Sequence, residues 1–492
     1  MVTSFVSAVS PAAAQDADGS IDTQFNPGSG LAPDPGAAIT SVQQPDGKVV
    51  IGGYFLTYNG TSAHAIARVN PDGSLDSTFN SGAGFGTGSV AALAIQPNGQ
   101  ILAGGQFFDY DGVARSFLAR INPDGSLDQS FNNGVGFNRQ VSALAVLRNG
   151  DILVAGDFDQ YNDETVGPMV RLNSDGSLDR GFHSEDGIEG AAVQTIAPQA
   201  DGDIMIGGIF GHYGSSDANS IARLKANGSV DPSFSGGAGF HDPMGAPNGL
   251  VQSITSIGND LLVTGNFDRY KNTAASSIIR LNQDGTIDPS FATGSGFDGQ
   301  INEAVLQPNG MIVVIGNFNN YRDQSARGIL RLSPSGDRDR SFDAGTGFNS
   351  PVSTMQLLPT GKAVVGGFFS MYADVSRVGI VGVNIYDASS HVQKPQKSCG
   401  KIFPKRIKRS GDTVVLRKAC RTSAGLRIKP HIVSIGKKSR GDVSRVTYRV
   451  IHGKGGKVTI RTYGKRLELR ITYKAPATPD YLPFNRTRTY HT

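Results

Sequence analysis

Six arginines each stand eight residues before an aspartate: Arg68/Asp76, Arg120/Asp128, Arg171/Asp179, Arg223/Asp231, Arg280/Asp288 and Arg331/Asp339. A guanidinium facing a carboxylate forms a strong charge-assisted hydrogen bond, which can serve either chemistry or architecture. Catalysis needs one asymmetric site, so a pair repeated six times points to architecture. The spacing sets the two residues on adjacent strands of a hairpin, holding an outer edge together. A seventh aspartate, Asp22, has the same local setting, but Gly382 stands where its arginine is expected.

A second set consists of tyrosines, each three residues after a phenylalanine: Tyr58, Tyr110, Tyr161, Tyr213, Tyr270, Tyr321 and Tyr372. Each follows an apolar, glycine-containing strand into a loop. Seven phenol rings on one face would suit a sugar or a peptide; the other reading is that each ring pins its own loop. His212, His241 and Asp242 belong to irregular parts of the same loops and have metal-ligand chemistry, but their spacing matches no metal motif. No metal site is expected. The recurring Asp-Gly-Ser-x-Asp turns resemble fragments of calcium loops without the further alternating oxygens or the distal glutamate, so calcium is not expected either. Phosphate-loop, nucleophile-elbow and His-Glu-x-x-His patterns are missing, which leans against an enzyme.

These residues recur because the chain repeats. An Asp/Asn-Gly-Ser turn phrase, with Thr286 for the serine in one copy, centres on Gly19, Gly73, Gly125, Gly176, Gly228 and Gly285, with a degraded copy at Gly336. The intervals are 54, 52, 51, 52, 57 and 51 residues. Within one unit, 89–96 and 100–107 are apolar runs joined by Pro97-Asn98-Gly99, 116–122 is a third strand and 126–131 a fourth. Four short antiparallel strands per unit, seven times over, predict an all-β, seven-bladed β-propeller over residues 18–390. The last unit lacks its own fourth strand, and an unpartnered copy lies at Ser20–Phe25. The N-terminal strand is therefore expected to close the seventh blade, removing an exposed edge.

The strings Val90–Gly105 and Arg120–Asp128 resemble the delta-60 repeat of bacterial β-propellers, and the resemblance spans about residues 18–386. It implies the fold and carries no family-wide activity or site.

Charge divides the chain. From Lys394 onward there are 26 Lys and Arg against 4 Asp and Glu, a balance of +22; the preceding residues carry 20 against 38, or −18. After a linker at 391–398, period-two alternation such as Leu467, Leu469, Ile471 and Tyr473 predicts a basic β-rich domain of about five strands at 399–475, then a tail at 476–492. Lys405, Arg406, Lys408, Arg409, Arg461 and Arg470 would draw a polyanion, an envelope polymer before nucleic acid; docking on the acidic propeller is the competing reading. Cys399 and Cys420 suit one disulfide in an exported domain. Residues 1–17 read as a signal-peptide remnant or a disordered arm, with Ala12-Ala13-Ala14 shaped like a cleavage site. No apolar run is long enough for a transmembrane helix. The sum is a monomeric, secreted or cell-surface binding and adhesion scaffold with an unknown ligand. The alternative is a secreted propeller enzyme acting on glycans or cell-wall polymers.

Overall fold

Turn residues and β-branched runs alternate throughout, and the computed structural model is correspondingly all-β, with no helix among the described residues. Those residues are 17–386 apart from 34–35, 184–191, 214–215, 238, 245 and 247–248, together with the strands alone within 394–491. The chain forms two compact units, residues 1–306 with 311–387 and residues 307–310 with 388–492.

Among the described residues the first unit contains, beside small sheets of two-residue strands, seven large three-stranded antiparallel sheets. Their inner strands are Ala37–Gln43, Ser89–Ile95, Val141–Val146, Val193–Pro198, Leu250–Ile257, Gln300–Leu306 and Val352–Leu357. Each inner strand pairs with a middle strand through a tight turn, and each middle strand with an outer one. The middle strands are buried almost throughout (Val49–Gly53, Ile101–Gly105, Ile312–Gly316), since a neighbouring sheet covers each of their faces. Successive inner strands pack side by side, and that of the first sheet lies between those of the second and the seventh.

The fourth strand is shorter than the sequence suggests. It is reduced to one β-bridge per repeat: Val69–Leu75, Ile121–Leu127, Leu172–Leu178, Leu224–Val230, Leu281–Ile287 and Leu332–Arg338. The reason lies in the aspartate that follows. Asp76 Oδ1 accepts the N–H of Thr78 at 3.0 Å, and the Phe79 N–H turns back to the Asp76 carbonyl. That local turn competes with the ladder and ends it. Blades of four full strands are thus corrected to three strands and a bridge.

In the seventh sheet the bridging residue comes from the other end of the unit, Ile21 opposite Val383. Gly19 N–H donates to the Asn384 carbonyl at 2.6 Å, Asp22 N–H to Gly382 at 2.8 Å, and Asn384 N–H back to Ser20 at 2.9 Å. Gly382 departs from the repeat for a steric reason: a Cβ there would lie 2.4 Å from that of Phe25. Lys362 supplies the missing cation, its Nζ 2.8 Å from Asp22 Oδ1.

In the second unit the strands form two four-stranded antiparallel sheets and one two-residue parallel pairing, more strands than the alternation alone suggested. Thr413–Leu416 and Tyr448–Gly453 flank Lys457–Thr462, and Arg427–Lys437 and Phe484–His491 flank Leu467–Ala475. Arg409, Arg461 and Arg470 lie on strands of these sheets. Lys405, Arg406, Lys408 and Cys399 fall outside the described residues, and with them the disulfide expected from Cys399 and Cys420.

Candidate ligand face

The frame takes up most of the residues singled out by their spacing. In all six Arg–Asp pairs the arginine Nε donates to the aspartate Oδ2 at 2.5 to 2.7 Å. Each arginine also reaches out of its own sheet. Its terminal nitrogen donates to a backbone carbonyl beside the next repeat's outer turn: Pro123, Ser174, Ala226, Gln283, Pro334 and finally Ile385. The pair therefore ties sheet to sheet as well as strand to strand. Burial pushes the Asp76 and Asp231 carboxyls up, but the lysine, arginine and hydroxyl donors around them outweigh it and hold both well below the usual range.

The seven tyrosines are a correction. Tyr58, Tyr110, Tyr270 and Tyr372 are fully buried, and Tyr161, Tyr213 and Tyr321 nearly so. No ring is offered to a ligand. Six of the hydroxyls donate to the carbonyl of the glycine fifteen residues on, Gly73, Gly125, Gly176, Gly228, Gly285 and Gly336. Tyr372 donates to Gly19 instead. A buried phenol must satisfy its O–H, and the outer turn supplies the acceptor. Burial pushes up the hydroxyls of Tyr58, Tyr110, Tyr161, Tyr270, Tyr321 and Tyr372, that of Tyr321 to about 12.

A third aromatic joins five of these groups. Phe85, Phe137, Phe240, Phe297 and Phe348 each pack at 4.2–4.8 Å between the rings of a Phe-x-x-Tyr pair. The Gly-x-Gly-Phe phrase in the connections was the available signal for them.

The histidines do not converge. His212 is exposed, with Nδ1 3.0 Å from Asp217. His241 sits in a two-residue strand opposite Arg269. Asp242 caps its own loop, accepting the N–H of Met244 at 3.0 Å and of Ala246 at 2.7 Å. Among the described residues no three His, Cys, Asp or Glu side chains gather as metal ligands.

What the frame leaves outside is the residue on either side of each buried phenylalanine, where the middle strands end. In sheets seven, one and two, which are neighbours, these positions and the adjoining loops carry exposed Phe368, Met371, Val375, Tyr54, Leu56, Phe108 and Val113. Tyr54 is 51% and Phe108 66% exposed, well beyond what packing of the frame requires. In sheets three, five and six the same places hold Asp157, Asp159, Asn266, Asp268, Asn317 and Asn319. Apolar and aromatic side chains in sheets seven, one and two thus share this end of the sheets with acidic and amide ones in sheets three, five and six, while sheet four carries exposed Ile209 there. Flat rings take the C–H faces of sugars or apolar side chains, and carboxylates and amides take hydroxyl and N–H donors.

Comparison with known sequences agrees with the geometry. Six stretches, residues 44–79, 96–131, 147–182, 199–234, 259–291 and 307–342, match the model described as a domain of unknown function (DUF5122) β-propeller. The repeats are those of a β-propeller family. No curated protein matches the chain. Among solved structures, the extracellular domain of a two-component system from B. thetaiotaomicron is 12% identical, covering 92% of this chain and 80% of that one, with a TM-score of 0.28. A gluconolactonase from Xanthomonas campestris is 10% identical over 75% of this chain and 100% of its own, at 0.35. YCF48 bound to a D1 peptide is 11% identical over 75% and 98%, at 0.38. Within the propeller unit no helix is long and apolar enough to cross a membrane, among the described residues.

Proposed function

We propose that the chain is a secreted or cell-surface binding scaffold whose seven sheets are blades of the delta-60 type, closed into a ring by residues 18–25. The ligand is recognised at the end of the propeller that bears Tyr54, Phe108 and Phe368. The basic C-terminal part attaches the molecule to an anionic envelope polymer. One observation carries the reading: seven repeats keep the same buried frame, while the positions flanking the buried phenylalanine change from sheet to sheet and are exposed or half-exposed. A rigid scaffold with variable exposed positions is how repeat proteins build recognition surfaces.

The test is retention of the full chain on glycan arrays and cell-wall fractions, wild type against Tyr54→Ser/Phe108→Ser/Phe368→Ser. The triple variant is expected to melt within a few degrees of wild type and to lose roughly tenfold or more in retention, since exposed aromatics contribute little to folding and much to a contact. Equal retention of the two proteins on every fraction would sink the assignment of this face.

A further inference from the structure

In the seven inner strands one side chain is charged. The strands read AAITSVQ, SVAALAI, VSALAV, VQTIAP, LVQSITSI, QINEAVL and VSTMQL, and the exception is Glu303. Inner strands have a free edge whose backbone groups lack a neighbouring strand, and side chains from the adjacent sheet take that place. Thr255 Oγ1 donates to the Ala304 carbonyl at 2.9 Å, Asn302 Nδ2 to Val352 at 2.7 Å, and Gln43 N–H donates to Gln356 Oε1 at 3.2 Å. All of these are neutral. Glu303 enters the same network as a carboxylate: it accepts the Met355 N–H at 2.9 Å and a hydrogen bond from Thr354, whose hydroxyl lies 2.9 Å from that of Ser41.

No basic residue stands on the inner strands of sheets five, six or seven, nor on the middle strand Ile312–Asn317. The two charged groups on the other packed strands belong to the far end of the sheets. Asp260 begins its middle strand within 4.0 Å of Arg280, and Lys362 is held by Asp22. Glu303, opposite Ile315, lies toward the opposite end. The residue keeps partial exposure, while its carboxylate is poorly hydrated.

We propose that Glu303 is the anchor of a binding subsite for a primary ammonium group, seated on the free edges of the inner strands of sheets six and seven. An ammonium brings three N–H donors, which suit a carboxylate that has lone pairs beyond the two taken by the Met355 N–H and the Thr354 hydroxyl. A divalent metal needs six or more oxygens, with more than one carboxylate for useful affinity, and the strands do not supply them. The carboxylate and its direct partners belong to sheets six and seven, with Ser41 of the first sheet behind Thr354, and the subsite does not depend on what the exposed aromatic side chains bind. Burial pushes the Glu303 carboxyl up to about 7, with the Met355 and Thr354 bonds opposing the rise. Proton and ammonium then compete for the same oxygens: binding is at full strength above pH 7 and weakens about tenfold for each unit below it.

The experiment uses the full chain with methylammonium chloride as the probe, and tetramethylammonium and calcium chlorides at matched ionic strength. At pH 8 methylammonium is expected to raise the melting temperature of wild type, with an effect at least tenfold weaker at pH 5.5. The isosteric Glu303→Gln variant is expected not to respond. A response of equal size in Glu303→Gln, an equal response to tetramethylammonium, or a response to calcium alone would overturn the assignment. If the variant does not fold, the carboxyl carbon resonance of Glu303 in wild type gives the same answer: its titration midpoint should fall as methylammonium is added, and a fixed midpoint would overturn it.

Discussion

Removing residues 18–25 is expected to lower the melting temperature of the full chain by on the order of 10 °C, or to abolish cooperative unfolding. The segment is short, but it supplies interactions that every other sheet obtains from its own repeat. Phe25 is 2% exposed, packed on Gly382 and joined to the aliphatic core of the first sheet. Truncating such a phenylalanine alone costs about 3–5 kcal/mol. Gly19 accepts the Tyr372 hydroxyl, Asp18 faces Arg331 at 2.7 Å, and Asp22 faces Lys362. Deletion would leave a buried phenol and two cations without these partners, along with the open edge of the seventh sheet. Differential scanning calorimetry of the deletion against wild type is the check. Melting at the wild-type temperature would mean that the segment is dispensable, as an ordinary arm is.

Asp128→Ala is the second large effect, expected to cost about 3–5 kcal/mol at pH 7. Arg120 and Asp128 are each 7% exposed, and the arginine would stay behind in a site built for two charges. The damage crosses the boundary between sheets, since Arg120 also donates to Ser174 and packs over the Phe131 ring. Burial raises the Asp128 carboxyl, but the Ser130 and Arg120 donors more than offset this and leave it below its ordinary value. A group depressed in the folded state stabilises above its unfolded pKa, about 4, and loses that contribution as pH falls through the folded value. The difference between wild type and variant, read from urea unfolding, should therefore be largest near neutrality and shrink below about pH 4. A difference under about 1 kcal/mol at pH 7, as for a surface pair, would contradict the account.

Much of this was open to sequence reading, for a definite reason. A side chain that depends on a partner at constant separation leaves a constant spacing, and the Arg-to-Asp interval of eight is of that kind. The interval of fifteen from six of the tyrosines to their glycines is equally constant across loops of different composition. It marks the tyrosines as framework, whereas their loop position alone suggests exposure. The fourth strand misled because Ser-Leu-Asp-x-Ser-Phe has a strand's alternation, while the aspartate spends its oxygen on the residue two places later. Binary pattern does not register that competition.

The ligand face was harder to see, because it consists of what does not repeat. Tyr54, Phe108 and Phe368 sit one place to either side of an invariant phenylalanine, and only a strand that ends there makes them exposed. Glu303 was obscured differently: one acidic residue in a mildly apolar run looks like a solvent-facing position. Its singularity is visible only when all seven inner strands are set side by side.

The central claim is that the beginning of the chain completes its last sheet. Amide hydrogen exchange followed by mass spectrometry on residues 18–25 tests it most directly. The Asp22 amide donates to Gly382 as the Asp76 amide donates to Arg68 and the Asp128 amide to Arg120. The account predicts that 18–25 exchanges as slowly as 72–79 and 124–131, with protection lost only in the global transition. Exchange of 18–25 at the rate of an unstructured peptide, while those two segments stay protected, would contradict it.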